Sequence, residues 1–311
     1  MVKQHSGPTT AMRVSAGTNG QFSRAPKLAT VLLLLCSTAV NLRSQPQRIV
    51  STTPGITELL YALGLGDRVV GVTRFCRYPP EAQKKTIIGD YINPNIEVIA
   101  SLKPDLVVVQ QNPVRLTEQL NALHLHTLEI DEQNSRIDDA IYKSIRIVGD
   151  ATGASARATQ LIATIRQGLA DVHNKAAQLK PKRVMFVVGR SPGRLDGLIV
   201  VGRASYLNEV MAIAGGQNVF SDAVAPYPGI SLESVLARNP EVIIDIGDMA
   251  DNIVTEQHKR DIVVLWQRAA TIAAVKQHSV FATPPDMFLV PGPRVVDAAR
   301  ALLALFHPES K

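Results

Sequence analysis

Residues 154–179 have the sequence ASARATQLIATIRQGLADVHNKAAQL, with no proline and a single glycine, Gly168. Apolar side chains recur in this stretch at helical spacing, at Leu161, Ile162, Ile165, Leu169, Val172 and Ala176. This pattern predicts one helix of roughly 24 residues, about 36 Å long, which Pro181 ends. A helix of that length exceeds the usual helix of a compact domain and is long enough to connect two lobes.

Strand-like and helix-like segments alternate on both sides of this helix. Before it, the pattern predicts strands at 48–51, 69–72, 105–110 and 127–131, with helices at 56–63 and up to about residue 148. After it, the pattern predicts strands at 183–188, 198–201, 241–246 and 280–282, with helices at 205–214, 232–238 and 293–306. Such alternation predicts α/β layers with largely parallel, buried strands.

A helix-strand unit occurs once in each half of the chain. The segment from Ile96 through Pro104 to Val108 recurs as the segment from Leu232 through Pro240 to Ile244. Glu97 and Glu233, like Pro104 and Pro240, are 136 residues apart. The repeat supports two similar lobes. We therefore expect a leader at 1–39, a first lobe at 47–150, a connecting helix at 151–180 and a second lobe at 181–311.

The net charge of +6 comes largely from the beginning of the chain of 311 residues. Residues 1–39 carry Lys3, Arg13, Arg24 and Lys27 and no acidic residue. Without these four, the 33 basic residues fall to 29, against 27 acidic ones. Aromatic residues make up only 5% of the chain, which disfavours base-stacking surfaces. We expect no nucleic-acid partner.

The same segment has the pattern of an export signal. The apolar run Leu28–Cys36 follows the last basic residue, and Ser37, Thr38 and Ala39 supply small residues for cleavage. The run is short of the roughly 20 residues that a membrane span needs, although a short anchor or a buried helix are alternatives. Leu35 precedes Cys36 where a lipoprotein would have a small residue, so we expect a periplasmic protein without a lipid anchor. The translation start is Met1 or Met12.

No catalytic or metal-binding motif is present in the sequence. There is no HExxH, GxSxG, Walker or GxGxxG motif, and His124 and His126 have no third ligand at a suggestive spacing. After cleavage Cys76 is the single cysteine, so no disulfide forms within the chain, and such a thiol is more often inert than a ligand or nucleophile. We expect a binding protein rather than an enzyme, with no metal site and no covalently bound cofactor.

Aromatic and arginine residues recur on proline-braced loops that follow or lie near the predicted strands. These loops hold Phe75, Arg77, Tyr91, Arg190, Tyr227, Asp286, Met287, Phe288 and Leu289. Parallel α/β domains bind ligands at the carboxyl ends of their strands. A cleft lined in this way suits a bulky, flat or cage-like small molecule, although packing within each loop is the alternative for any single aromatic ring.

Glu97 and Glu233 each lie two residues after a helix-capping residue, Asn95 and Ser231. One interpretation is that each carboxylate compensates the dipole at a helix start, an effect of about 0.3–1 kcal/mol. The other is that the two acids dock basic residues of a partner. The residues alone leave both interpretations open.

The sequence resembles the cobalamin and iron-chelate periplasmic binding proteins over roughly residues 47–308. The resemblance is carried by RIVSTTPGITELLYALGLGDRVVGVT, the RYPP that follows, NPNIEVIASLKPDLVVV, GRASYLNEVMAIAGGQNVF, PYPGISLESVLARNPEVII and PGPRVVDAARALLALFHPE. It implies an α/β protein whose two lobes, with largely parallel sheets, are joined by one rigid helix. It also implies a periplasmic location and, as partner, the permease dimer of an ABC transporter with its ATPase.

The resemblance also assigns roles to residues. It implies that Glu97 and Glu233 bind arginines of the permease. It implies that the ligand contacts Phe75, Tyr91, Tyr227 and the loop from Asp286 to Val290. Cobalamin-binding members have a tyrosine at position 75 and tryptophans at positions 91, 227 and 287, so this chain departs from their pattern at all four.

The ligand implied by the family is a metal chelate, with a corrinoid such as cobalamin as our first expectation. Arg74, Arg77, Arg190 and Arg194 add positive charge near the expected cleft. That charge would suit a ferric siderophore or a heme, which are the alternatives. We expect a monomer that captures the chelate and performs no covalent chemistry. An exported α/β hydrolase and a module feeding a surface receptor are the other classes.

Overall fold

The computed structural model describes residues 45–111, 116–131, 136–247 and 255–308. The predicted leader at 1–39, with Cys36, lies outside the described residues. Within the described ranges, no helix combines the length and the hydropathy that a bilayer-spanning segment needs.

The first sheet is entirely parallel. Its strands are β1 (Ile49–Ser51), β2 (Val69–Val72), β3 (Thr86–Ile87), β4 (Leu106–Gln110) and β5 (Thr127–Ile130). They lie in the order β3-β2-β1-β4-β5, with Ile49 of β1 opposite Val69 on one side and Leu106 on the other. The helices of this lobe are α1 (Pro54–Ala62), α2 (Ile96–Ser101) and α3 (Leu116–Ala122). Short 3-10 turns at Gly66–Arg68 and Pro80–Lys84 complete it.

A second group of helices connects the first sheet to the second. A π-helical turn at Asp138–Tyr142 leads into α4 (Lys143–Thr152), which is followed by α5 (Ser155–Ala176). Helix α5 has 22 residues and is about 33 Å long. It buries one face, including Ile162, Ile165 and Leu169. It ends at Ala176 rather than at Pro181, because the chain must turn before it enters the next strand at Lys182.

Gly168 of α5 permits a close helix–helix contact. A Cβ atom at this position would lie 2.7 Å from a methyl carbon of Val296. Val296 belongs to α11 (Val295–Phe306), the last helix of the chain. The single glycine of the long helix therefore lets α11 pack directly on its backbone.

The second sheet is mixed. Its strands are β6 (Lys182–Gly189), β7 (Leu198–Val200), β8 (Gly216–Asn218), β9 (Gly229–Ile230), β10 (Val242–Asp245) and β11 (Val280–Ala282). They lie in the order β11-β10-β6-β7-β9, with β8 beside β6. Strand β7 is antiparallel to β6 and to β9. The connection from β6 to β7, residues 190–197, is shorter than the dozen residues that a parallel crossover needs.

The helices of the second lobe surround this sheet. They are α6 (Tyr206–Ile213), α7 (Leu232–Arg238), α8 (Glu256–Trp266), α9 (Ala273–Lys276) and α10 (Asp286–Leu289), together with α11 and a 3-10 turn at Gln267–Ala269. One cluster of buried apolar side chains runs from Ile49 of β1 through Ile165 of α5 to Phe186 of β6. The two lobes therefore share apolar packing around α5, and the predicted α/β class with a long connecting helix is confirmed. The lobe boundaries stay a prediction.

Candidate functional site

The buried side chain of Cys76 anchors the loop after β2 to the core. The cysteine is 3% exposed and accepts a hydrogen bond from the Thr57 hydroxyl, with oxygen and sulfur 3.1 Å apart. The Thr73 hydroxyl lies 3.2 Å from the same sulfur. Burial raises the pKa of the Cys76 thiol, which disfavours the reactive thiolate. Cys76 therefore fixes the loop on which Phe75 and Arg77 lie.

Phe75 and Tyr91 form an aromatic pair at the edge of the first lobe. Their ring centroids are 5.6 Å apart and the rings meet at 62°. Arg74 lies over the Phe75 ring and binds Asp90, with nitrogen and oxygen 2.5 Å apart. The pKa of Asp90 is lowered, chiefly by the hydrogen bond that its carboxylate accepts from the Asn93 backbone N–H. The structure thus brings together two predicted ligand residues from different loops, the one after β2 and the one after β3.

The segment from Asp286 to Val290, predicted as a loop, forms the short helix α10 and the residue after it. Some of its side chains lie in the core and others at the surface. Phe288 is 2% exposed and packs edge-on against Phe186, with centroids 5.4 Å apart. Its carbonyl accepts a hydrogen bond from the Tyr206 hydroxyl. Met287, Leu289 and Val290 are half-buried, and Asp286 is half-exposed. The Phe288 ring therefore supports this segment from the core.

Tyr227 lies in the loop before β9, and its phenol contacts the N-terminal end of α6. Its phenol oxygen is 3.3 Å from the Ser205 hydroxyl, which also caps α6 by accepting from the Leu207 backbone N–H. Although 41% of the residue is exposed, desolvation raises the pKa of the Tyr227 phenol. A ring with an open face and a held hydroxyl is suited to stacking on a ligand.

Arg190 follows β6 and is buried in the second lobe. Its Nε donates to an oxygen of Asp245 at 3.0 Å, and the two side chains are 3% and 0% exposed. Asp245 also accepts hydrogen bonds from the Trp266 indole at 2.8 Å and from the Gly247 backbone at 2.7 Å. The charge of Arg190 is therefore matched inside the lobe.

Each of the four arginines that the sequence analysis expects near the cleft forms an ion pair with an aspartate. The four pairs are Arg74–Asp90, Arg77–Asp286, Arg190–Asp245 and Arg194–Asp196. Arg77 and Asp286 are 3.8 Å apart and come from loops of different lobes. The four arginines therefore bring no surplus positive charge to these loops, contrary to the expectation from the sequence.

A second ion pair between the lobes was missed by the sequence analysis. Arg294, just before α11, donates from Nε and Nη2 to the two carboxylate oxygens of Glu58 in α1. The guanidinium carbon also lies 4.3 Å from the centroid of the Tyr78 ring. The signal in the sequence was a glutamate between Thr57 and the two leucines Leu59 and Leu60 of an otherwise apolar helix.

Glu97 and Glu233 are exposed in the first turns of α2 and α7. Asn95 accepts from the Val98 backbone at 3.0 Å, and Ser231 accepts from the Ser234 backbone at 3.3 Å. A hydrogen bond with the Ser231 side chain lowers the pKa of Glu233. The predicted capping is confirmed, and both carboxylates face solvent.

The described ranges contain no group of three or more His, Cys, Asp or Glu side chains arranged to hold a metal ion. The arrangement offers aromatic faces, half-buried apolar edges and charge-matched arginines. Such surfaces bind a small molecule by stacking, burial and hydrogen bonding.

Comparison with known proteins assigns the family. Residues 49–287 match the family described as periplasmic binding protein. This chain belongs to that family. It is 31% identical over 278 residues to the uncharacterized ABC transporter substrate-binding lipoprotein YvrC of Bacillus subtilis, covering 87% of this chain and 83% of that protein. It is also 31% identical over 277 residues to the vitamin B12-binding protein of Pectobacterium atrosepticum, covering 87% and 91%.

A solved structure agrees with this assignment. The periplasmic heme-binding protein RhuT from Roseiflexus, in its apo form, superposes with a TM-score of 0.73 at 28% identity, covering 85% of this chain and 99% of that one. All three names describe binding proteins. One states vitamin B12, one states heme and the third states no ligand, so the family assignment does not identify the ligand.

Proposed function

We propose that this periplasmic binding protein captures a corrinoid between its two lobes and delivers it to the permease of an ABC importer. The observation that carries the proposal is the pairing of all four candidate arginines with aspartates. A corrin ring with amide side arms has no need of a surplus cation. A heme with propionates, or a ferric siderophore with carboxylates, binds best to an uncompensated arginine.

The ligand is held by surfaces from both lobes. Phe75, Tyr91 and Tyr227 offer ring faces to the macrocycle. Met287, Leu289 and Val290 cover its apolar edge, and Arg77 and Asp286 meet its amide groups. Arg190 and Phe288 act from beneath, since both are buried.

The partners follow from the same proposal. A cleaved signal at 1–39 exports the chain to the periplasm, where it acts as a monomer. Glu97 and Glu233, one on each lobe, dock the two subunits of the permease dimer, which its ATPase drives. The lobes at 47–150 and 181–311, joined by residues 151–180, each present one glutamate.

An iron chelate is the second candidate. It is favoured by the similarity to the Roseiflexus protein, whose name states heme binding. The phenols of Tyr91 and Tyr227, 45% and 41% exposed, are groups that ligate ferric iron in other proteins.

A ligand panel tests the two candidates against each other. The purified protein is titrated with cyanocobalamin, hemin and a ferric catecholate, and binding is followed by absorbance and calorimetry. We expect cyanocobalamin to bind at least about tenfold more tightly than the other two, a difference of about 1.4 kcal/mol. Tighter binding of hemin or of the ferric catecholate would overturn the corrinoid proposal.

A further inference from the structure

Two segments of the first lobe contact the guanidinium of Arg294, which belongs to the second lobe. Glu58 and Tyr78 come from α1 and from the loop after β2, and Arg294 comes from the segment between α10 and α11. Arg294 Nε is 2.9 Å from Glu58 Oε2, and its Nη2 donates to the other oxygen. Its outer face covers the Tyr78 ring. One side chain of the second lobe is therefore held on two sides by the first.

This contact reaches both loops that the ligand would touch. Tyr78 lies three residues after Phe75, and Arg294 also donates to the Asp286 carbonyl at 3.3 Å. The Arg77–Asp286 pair lies beside it but is partly exposed and longer, at 3.8 Å. Exposed pairs of that kind contribute about 0–1 kcal/mol. The contact around Arg294 is the stronger tie.

Stability alone is a poor reason for this ion pair. The Glu58 side chain is 3% exposed and the Arg294 side chain 18%. Burial, with a smaller contribution from the nearby charge of Asp286, raises the pKa of Glu58 although the contact with Arg294 lowers it, so ionising this carboxyl in the folded chain is costly. Apolar side chains of similar volume at two such buried positions often stabilise a protein as well as an ion pair or better. What the ion pair adds is a defined relative position of the two side chains.

We propose that Glu58, Arg294 and Tyr78 form an interlobe anchor. This anchor fixes the separation of the two ligand loops, residues 73–80 and 286–290, before any ligand arrives. Helix α5 and the apolar packing around it hold the lobes at one place. The interlobe anchor is a second fixed point, close to the loops themselves. Two fixed points restrain a rotation that one hinge would allow, and a preorganised cleft loses less entropy on binding. Only the naming of the loops as ligand loops rests on the proposed function.

The test measures the separation of the lobes in the ligand-free protein. Spin labels are attached at Ser101→Cys and Ala237→Cys, exposed positions 136 residues apart in the repeated helix-strand unit. Cys36 lies in the leader that the proposed cleavage removes, and the buried Cys76 is protected from labelling. Pulsed electron paramagnetic resonance then gives the distribution of the distance between the labels.

Two variants disrupt the interlobe anchor in different ways. Glu58→Leu with Arg294→Met replaces the ion pair by apolar groups of similar volume, which keeps the protein folded. Tyr78→Leu removes only the aromatic face from a half-exposed position. The matched controls are Tyr78→Phe, which keeps the ring, and Arg300→Gln, which breaks an exposed ion pair with Asp297 on α11.

We expect each disrupting variant to broaden the distance distribution about twofold, while both controls keep the wild-type width. The Kd for cyanocobalamin should rise about tenfold in Glu58→Leu/Arg294→Met, because binding must then also order the cleft. An unchanged width in folded Tyr78→Leu and in the double variant would overturn the proposal. Wild-type protein that does not bind cyanocobalamin would refute the proposed ligand and leave the distance result standing.

Discussion

The arginine-bearing loops after β2 and β6 differ from the two glutamate-bearing helices in how their charges are paired. In the loops, each candidate arginine is matched by an aspartate, and the pair of Arg190 and Asp245 is fully enclosed. At the starts of α2 and α7, Glu97 and Glu233 lie open to solvent. A matched charge positions neighbouring groups, whereas an open charge attracts an oppositely charged partner. Under the proposed function, the loops would take a neutral ligand and the helices would meet a basic partner.

The largest effect is expected from reversing the open charges. Glu97→Arg combined with Glu233→Arg should abolish uptake, because two contacts on one rigid body act with high effective concentration. Affinity for the chelate should not change, and the free energy of unfolding should change little, because both carboxylates face solvent. The measurement is uptake of labelled cyanocobalamin by cells that carry the matching permease.

Each single reversal should also impair uptake by more than the loss of a lone surface ion pair would. Glu97→Gln with Glu233→Gln is the control that separates loss of attraction from repulsion. Uptake by the double reversal at the wild-type rate would remove the docking role and leave both residues as helix-capping acids.

Breaking a matched pair should act on stability. Asp245→Ala leaves the buried Arg190 guanidinium and the Trp266 N–H without their acceptor, so the free energy of unfolding should fall by about 3–5 kcal/mol. Asp196→Ala removes the partner of the exposed Arg194 and should cost only about 0–1 kcal/mol. Denaturant unfolding of both variants measures the contrast, and equal losses would contradict the distinction between enclosed and exposed pairs.

A smaller effect is expected from the aromatic faces. Tyr91→Ala with Tyr227→Ala should weaken cyanocobalamin binding by about 2–3 kcal/mol, which is roughly a hundredfold in Kd. Tyr91→Phe with Tyr227→Phe keeps both rings and should retain most of the affinity. Calorimetry that finds the same Kd for the alanine variant and the wild type would place the ligand elsewhere.

Much of the fold could be predicted from local pattern. Helix α5 falls within the predicted stretch, and β11 and α7 have the predicted bounds. Strands β3, β8 and β9 were missed, because segments of two or three residues are too short to show a period of two. Strand β7 was predicted, but its antiparallel direction was not, since the direction of a strand depends on the length of its connection and not on its own residues.

The site could be predicted only in outline. Aromatic rings on loops are visible in the sequence, and Phe75 and Tyr91 do meet. The ion pairs are not visible, because Arg190 and Asp245 are 55 residues apart and Glu58 and Arg294 are 236 apart. The burial of Phe288 could not be foreseen either, since it depends on Phe186 of another strand. Whether a charged side chain at the site has an oppositely charged partner therefore depends on tertiary contacts.

The salt dependence of cyanocobalamin affinity tests most directly the claim that the charges of the four arginines at the candidate site are matched by aspartates. Calorimetric titrations at about 50 mM and 500 mM NaCl compare weak with strong screening of exposed charges. Because the arginines are matched by aspartates and the ligand carries no propionates, we expect Kd to change by less than about twofold. A weakening of about tenfold or more at high salt would contradict the account, because it would show that exposed charges contribute to the binding.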